Sequence, residues 1–598
     1  MADYFIYDIE TYPNIFSCVI LHRETGQYYV YEIGNRRNDR QELVAMINYV
    51  SHVGGRMVGF NNMHFDYPVI HQMYFDPYST AESLYNKAKE IITSSNKFGH
   101  IIWPRDQVAK QIDLFKIHHF DNRAKSTSLK LLQINMRSPF VQDLPYTPGT
   151  NLTHEQMDEL IKYNTHDVEE TARFFEKSLD AVAFRDELTE QYGRDFTNAN
   201  DKKIGTEIII QRLETESPGT CYYYDSFNKR QPRQTHRDYI ELSEIILPYI
   251  HFQRPEFNRV LEYLKAQKIA TTKGVFKDLH ATLDGFRFDF GTGGVHGSVD
   301  RRKYTNGGVV DIDVTSYYPS LAIVNNFYPE HLGQLFCSIY SDIKQQRLEY
   351  PKTHSINKAL KLALNGTFGD SNNEFSPFRD PRFTMQITIN GQLLLCMLAE
   401  RLMNYGLIQI NTDGLTLERF DEGAESVLGW WERLTGLTLE TAHYKRMFVR
   451  DVNNYLAEYE DGQIKRKGAY EYELQWHQNH SGLVVPKAVE ACLLWGIPIE
   501  EFIRQYTDAY DFMITAKVPR SSRLYFGDRQ EQNTSRYYIG HRGEECYKMM
   551  PPLKGKDQWR KIGINVGWKT VCCNDVTMFD WYNLDYNYYI QKARELLI

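Results

Sequence analysis

Cysteine is scarce. Eight cysteines are spread through 598 residues with no C-x-x-C pair and no Cys/His grouping at metal-ligand spacing, which argues against a zinc site and a disulfide framework. Nowhere does an uncharged apolar run reach the roughly eighteen residues that a membrane span needs. Asp3, Asp8 and Glu10 interrupt the first ten residues, unlike a secretory leader. The expectation is a protein of the reducing cytoplasm with no membrane partner. Internal repeats and low-complexity tracts are missing, and so is any surplus of positive charge. Lys and Arg number 69 against 77 Asp and Glu, a formal charge of −8. A chain that attracted polyanions globally would be basic, so any basic surface must be local. Candidates are Asn228 to Arg237, Asp300 to Lys303, Lys445 to Arg450 and Lys465 to Lys467, each interleaved with or followed by Tyr or Phe. Taken singly, such runs are most often solvated faces.

Aromatic residues are abundant, with 42 Tyr and 32 Phe. The length exceeds what one hydrophobic core supports, so two to four domains of about 100–200 residues are expected in an α/β multidomain fold. Residues 1–190 open with a strand at Tyr4 to Ile9 and close on a helical pattern from Thr153 to about Leu179. Residues 191–285 are polar and loop-rich, with an aromatic run at Cys221 to Tyr224 and a helical stretch around Tyr239 to Leu264. Strands and helices alternate again over 286–470, where Phe290 to Gly297 is rich in glycine. Residues 471–598 carry a helical stretch near Val485 to Trp495 and end on a tyrosine-dense helix.

Two sets of acids carry the chemistry. Asp8 and Glu10 lie two apart on the opening strand, so both leave the same face. Alone, such a pair is an ordinary surface strand edge. It is followed by Asn62, Phe65 and Asp66 after a strand-like Met57 to Phe60, and then by Tyr163 and Asp167 four apart on a helix opened by a T-x-x-Q capping box at Thr153 and Gln156. The ordered set D-x-E, N-x-x-F-D and Y-x-x-x-D resembles the proofreading exonuclease domain of family B DNA polymerases, which has a ribonuclease H-like fold. The resemblance implies that Asp8, Glu10, Asp66 and Asp167 hold two divalent ions, that Tyr163 orients a water, and that Asn62 and Phe65 hold a frayed 3′ end.

In the second set, Val309 to Val314 alternates so that Asp311 and Asp313 share a strand face, and Ser316-Tyr317-Tyr318-Pro319-Ser320 follows. This resembles the first palm motif of family B polymerases, D-x-x-S-L-Y-P-S, with Tyr317 in the leucine position. Asp313 is then a metal ligand together with the Val314 carbonyl, and Tyr318 packs under the deoxyribose. Asn357 to Phe368 reads as a helix stopped at Gly369, with Lys361 and Asn365 one turn apart. It is similar to K-x-x-x-N-S-x-Y-G, with Gly366 for Ser and Phe368 for Tyr. Lys361 then contacts an incoming triphosphate, with Arg347 a second candidate. Leu407 to Leu417 reads as two strands joined at Asp413-Gly414. It resembles the third palm motif Y-x-D-T-D-S, with Asn411 for the first acid, Asp413 as the second metal ligand and Gly414 for the serine. Asp311 is a source of compensating negative charge. Asn453-Asn454-Tyr455 stands where the family has K-x-Y, so the primer contact passes to Tyr455 and Lys467. The linker motif Y-x-G-G survives only as Gly291-Thr292-Gly293-Gly294.

The resemblance implies the order exonuclease (1–190), connector (191–285), palm (286–325), fingers (326–372), palm (373–470) and thumb (471–598, by position only), a right-hand polymerase like the short replicative polymerases of bacteriophages, working in a host cytoplasm. It implies two Mg2+ or Mn2+ ions per active site, primer–template DNA and dNTPs as substrates, and a monomer helped by a helicase, single-strand-binding protein or processivity factor. Protein-primed relatives carry insertions on either side of the fingers motif. Neither Asp313 to Lys361 nor Gly369 to Asn411 has room for one, so an ordinary nucleic-acid primer is expected. Two other readings remain: an exonuclease with a decayed polymerase, suggested by Asn411, Gly366 and Asn453, and a non-catalytic DNA-binding factor, which has no use for clustered carboxylates.

Overall fold

The computed structural model describes residues 3–96 and 98–598 and divides into two units. The first holds the described residues up to Asp201 with Tyr472–Val485 and Glu500–Lys592; the second holds Lys202–Glu471, Pro486–Ile499 and Ala593–Ile598.

In the first unit, strands β1 (Tyr4–Tyr12), β2 (Ile15–His22), β3 (Gln27–Gly34), β4 (Arg56–Gly59) and β5 (Lys110–Asp113) form one sheet in the order β3-β2-β1-β4-β5. β1 runs antiparallel to β2 and parallel to β4, and β4 parallel to β5. The helix Arg40–His52 carries the chain back so that β4 enters parallel, as a crossover must. Both faces of β1 are buried, and the alternation of its side chains decides where its acids go. Phe5, Tyr7 and Ile9 pack with Leu43, Ile47, Val69 and Leu84 on one face. Ile6 packs with Val58, Ile112, Val168 and Phe174 on the other. Asp8 and Glu10 continue the Ile6 row and so lie on the side of the helix His154–Glu176. That helix starts as its capping box predicts: the Gln156 N–H donates to Thr153 Oγ1 at 3.3 Å, and the Thr153 N–H donates to Gln156 Oε1 at 2.9 Å.

The segment 471–598, one domain by sequence position, is divided between the units. Its Glu500–Lys592 part forms a three-stranded sheet (Ile514–Lys517, Thr534–Glu544, Thr570–Cys572) and a four-stranded sheet (Arg529–Glu531, Arg523–Phe526, Cys546–Met550, Arg560–Ile564). The buried Arg536 guanidinium donates to the carbonyls of Ser138 at 2.8 Å and Pro139 at 3.1 Å, tying this part to the early chain.

In the second unit the region read as a connector has its own structure: a helix Asp201–Glu216, a hairpin of β6 (Tyr222–Tyr224) and β7 (Arg230–Pro232), a short pair of β8 (Ile240–Glu241) and β9 (Lys268–Ile269), and a helix Pro255–Lys265. A large antiparallel sheet follows. It comprises β10 (His280–Leu283), β11 (Phe286–Gly291), β12 (Gly294–Ser298), β13 (Arg302–Tyr304), β14 (Val309–Val314), β15 (Leu407–Asn411), β16 (Gly414–Leu417), β17 (Leu439–Asp451), β18 (Asn454–Tyr459) and β19 (Ile464–Lys467). Their order is β10-β11-β12-β15-β16-β14-β17-β18-β19, with β13 paired to β17. The apolar helix Pro381–Leu402 packs on β12, β15 and β16.

Two helices, Leu335–Leu348 and Ser355–Asp370, pack on one another, the Tyr340 hydroxyl donating to the Leu364 carbonyl at 2.7 Å. The second runs through Gly369 and does not stop there. Gly369 keeps a helical backbone, and Asp370 is held by Lys202 at 2.5 Å. Gly205 of the Asp201–Glu216 helix lets that helix approach closely, since a Cβ there would lie 2.2 Å from the Leu362 carbonyl oxygen.

Candidate functional site

The first unit gathers acids from three elements. Asp8 and Glu10 come from β1, Asp66 from the first turn of the helix Asp66–Phe75, and Asp167 from the helix His154–Glu176. Carboxylate oxygens of Asp8, Glu10 and Asp167 lie within 4.8 Å of one another. Asp66 is turned to the same strand, where its Oδ1 accepts the Ile9 N–H at 3.3 Å. Crowding of like charges away from water favours the neutral acids. Burial first, and then Asp167, pushes Glu10 up to about 8; burial pushes Asp66 up to about 7; burial, Asp66 and Glu10 together push Asp8 well up. A hard, all-oxygen donor set short of cations is the chemistry that Mg2+ or Mn2+ fits.

Three residues here carry no signal in the sequence. Lys130 is buried, with its ammonium 2.5 Å from Asp167 Oδ1 and 4.4 Å from the centre of the Tyr163 ring. Gln133 donates to the same Asp167 oxygen at 3.1 Å. Asn164 donates to Asp8 Oδ2 at 2.7 Å and is itself oriented by Ser17 at 3.1 Å. Tyr163 is buried beside Asp167, and burial raises its pKa far above the ordinary phenol value. Asn62 is fully buried: its amide donates to Gln111 Oε1 at 3.0 Å and the Tyr7 hydroxyl at 3.2 Å, while its Oδ1 has no partner among the described residues. Phe65 is half-buried at the start of the Asp66–Phe75 helix.

The second unit brings Asp313 and Asp413 together through strand pairing. β14 and β16 are antiparallel neighbours with Asp313 opposite Gly414, so Asp413 at the turn stands beside the Asp313 carboxylate. The hairpin turn is Thr412-Asp413, one residue earlier than the sequence suggests, because Asn411 pairs with Gly414 and places that glycine in the strand. Its missing side chain has a physical reason. A Cβ at 414 would lie 2.1 Å from Asp313 Oδ1 and 2.4 Å from the Ile312 carbonyl oxygen. Packing around its carboxyl, then Asp311 and Asp413, pushes Asp313 up to about 7, although Asp313 stays open to solvent; Asp413 is raised as well, chiefly by burial. β17 sets Glu440 opposite Asp313 on the other side, an acid that strand alternation alone could not assign to this site.

Asp311 is engaged differently from the expectation. Its carboxylate is buried and takes bonds from Thr416 at 2.6 Å, Tyr444 at 2.6 Å and Lys465 at 2.8 Å, so its charge is already balanced within the sheet. Asn411 Oδ1 accepts a bond at 3.0 Å from Nδ1 of the His296 ring on β12. Tyr455 and Lys467 are cross-strand partners on β18 and β19. With Asp311, Asp313, Asn411, Asp413 and Lys465 they line a recess of about 230 Å³.

A larger cavity of about 610 Å³ joins the two acids to the helices. Asp313, Val314, Asp413 and Glu440 line one part of it; Lys344, Arg347, Lys361 and Asn365 line another, with the rings of Tyr318 and Phe368. Arg347 is held at 3.1 Å by Asn357 and reaches Ser316 Oγ at 3.4 Å. Ser316 takes φ of +48° at the sharp exit from β14, a strained backbone of the kind found where function requires it. Lys344, missed in the sequence, donates to Ser320 at 2.9 Å. Tyr318 lies 4.6 Å from Phe368, and its hydroxyl donates to the Gly293 carbonyl at 3.1 Å, which ties the glycine-rich β11–β12 turn to this wall. Tyr317, in contrast, is buried and donates to the Gly391 carbonyl at 2.6 Å.

No family model matches the chain, and no curated protein matches it. Among solved structures it is similar to the family B DNA polymerase from the hyperthermophilic archaeon Pyrobaculum calidifontis, with 14% identity and a TM-score of 0.42 over 100% of this chain and 77% of that one.

Proposed function

We propose that the chain is a template-directed DNA polymerase with its own 3′→5′ proofreading exonuclease, in the manner of family B, extending an ordinary primer with dNTPs. The observation that carries this reading is the 610 Å³ cavity in which Asp313 and Asp413 face three cations, Lys344, Arg347 and Lys361. A cavity with acids at one side and fixed cations at the other suits a triphosphate whose α-phosphorus must meet divalent ions while its outer phosphates are neutralised. Asp313 and Asp413 would hold those ions, with Glu440 beside them; when bound, the ions lower the pKa of the attacking hydroxyl and stabilise the leaving oxygen. Arg347, fixed by Asn357 and Ser316, is an oriented donor for phosphate oxygens, and Tyr318 against Phe368 is an apolar wall for a deoxyribose.

The exonuclease reading rests on the converging acids of the first unit and on Tyr163 beside them. Asp8, Glu10, Asp66 and Asp167 would hold the ions, Asn164 fixes the Asp8 carboxylate, and Lys130 with Gln133 fixes Asp167. The mixed β3-β2-β1-β4-β5 sheet with an acid-bearing helix against it supports a ribonuclease H-like assignment. Primer extension with four dNTPs and Mg2+ by an Asp8→Ala variant is the test. Extension is expected. Its absence, with digestion intact in the parent chain, would leave an exonuclease with a decayed polymerase.

A further inference from the structure

The β6–β7 hairpin exposes what a folded protein ordinarily covers. Tyr224 is 68% exposed and Phe227, in the turn, 82%. Between Tyr222 and Arg237 stand four cations, Lys229, Arg230, Arg233 and Arg237, and one acid, Asp225, in a chain of net charge −8. Arg237 is committed to Asp380 and Glu330. Lys229, Arg230 and Arg233 form no ion pair among the described residues. Arg230 lies 3.6 Å from the centre of the Tyr222 ring and Arg233 5.5 Å from that of Tyr223, so each face of the hairpin sets a guanidinium against a ring, Tyr222, Tyr224 and Arg230 on one side and Tyr223 and Arg233 on the other.

The turn is built to hold this shape. Asp225 Oδ1 accepts the N–H groups of Phe227 and Lys229, each at 2.9 Å, and Asn228 takes φ of +56°. Beyond β7, Gln234 donates to the carbonyls of Glu374 at 2.8 Å and Ser376 at 2.9 Å, the residues on either side of Phe375, which is 84% exposed. Phe375 belongs to the loop that leaves the Ser355–Asp370 helix, and Lys361 to Asp370 on that helix rises about 14 Å. Phe375 therefore lies five residues beyond the end of the helix that carries Lys361 into the cavity.

We propose that the β6–β7 hairpin and Phe375 form a binding surface for single-stranded nucleic acid, used by the unpaired template ahead of the synthetic site. Rings give stacking faces that accept any base, and the cations track phosphates, the combination that sequence-independent single-strand binding requires. An apolar protein partner would leave the charges of Lys229, Arg230 and Arg233 unmatched, whereas a single strand meets both the rings and the cations. The assignment of the strand as template rests on the polymerase reading; the affinity for single strands does not.

The test is fluorescence anisotropy of the full chain in an Asp8→Ala background, titrated onto a primer–template with an unpaired 5′ template tail and onto the same duplex made blunt. Tyr224→Ser with Phe227→Ser is expected to weaken binding of the tailed substrate about tenfold or more and to leave the blunt one unchanged. Tyr224→Trp with Phe227→Trp is expected to retain binding. Lys229→Gln and Arg233→Gln are expected to reduce the salt slope for the tailed substrate by about 0.7 each. Tailed binding unchanged in the serine variant overturns the proposal and turns the surface over to a protein partner; equal loss on both substrates also overturns it. A parent chain that binds the tail through these residues but fails to extend sinks the polymerase reading and leaves this surface standing.

Discussion

In the first unit three acids, Asp8, Glu10 and Asp167, are packed together with Asp66 beside them and Lys130 as the cation in their midst. In the second, Asp313 and Asp413 stand open to solvent, and the cations sit across a cavity on two other helices. The open pair faces a cavity of about 610 Å³, and the cations lining it are Lys344, Arg347 and Lys361. Under the proposed function the two sites differ in what would complete them: ions with a water and a scissile phosphate for the first, ions with a polyphosphate for the second.

The sharpest way to break this contrast is to remove one ligand at a time. Asp313→Ala and Asp413→Ala are expected to cut synthesis by about three decades or more while digestion persists, and Asp66→Ala to do the reverse. Both are read from one labelled primer run with and without dNTPs. Loss of both activities in any single variant would mean that the sites are not separate.

Lys130→Met sharpens it from the other side. A cation that positions a ligand acts only on its own site, so digestion should fall by about 10–100-fold with synthesis unchanged. Its Mg2+ titration should shift to higher concentration, which a loss of folded protein would not produce. Smaller still is sugar selection in the open cavity. Tyr318→Val is expected to raise single-ribonucleotide incorporation on the order of tenfold, and unchanged discrimination would remove Tyr318 from the wall.

The least effect is thermodynamic and confined to the dense site. Glu10 and Asp66 hold protons in the folded, metal-free protein up to about 8 and about 7, where an unfolded chain would have lost them. Their folded values are raised, so the stability they contribute is complete below the ordinary carboxylate range and is lost as pH rises through 7 to 8. With chelator present, Tm should fall by a few degrees between about pH 5 and pH 9, and Mg2+ at the upper end should restore it. A Tm that rises with pH under chelator would contradict the crowded-acid picture.

Much of this was legible in the sequence where a residue type was forced by spacing. Asp8 with Glu10, Tyr163 with Asp167, and Lys361 with Asn365 share faces because the periods of strand and helix are fixed. The capping box at Thr153 was equally readable. What escaped depends on register and on distant packing. Lys130 is a single lysine on the short helix Leu129–Asn135, and nothing local distinguishes it from a solvated one. Glu440 reaches Asp313 only through the pairing of β14 with β17. The Asp413-Gly414 dipeptide signals a turn, yet Gly414 is required in the strand by contact with Asp313, so the turn falls one residue earlier. Asp311 carries the same strand signal as Asp313, and only the fold gives it Lys465.

That pairing has a mechanical side. Through one carboxylate, Asp311 on β14 is fastened to Thr416 on β16, Tyr444 on β17 and Lys465 on β19. β14 and β16 are the strands that deliver Asp313 and Asp413, so the spacing of that pair is held by a rivet two residues before Asp313. Shear between the strands must break charged, buried bonds before it can change that spacing, so the gap between the two acids resists sliding of one strand along the other.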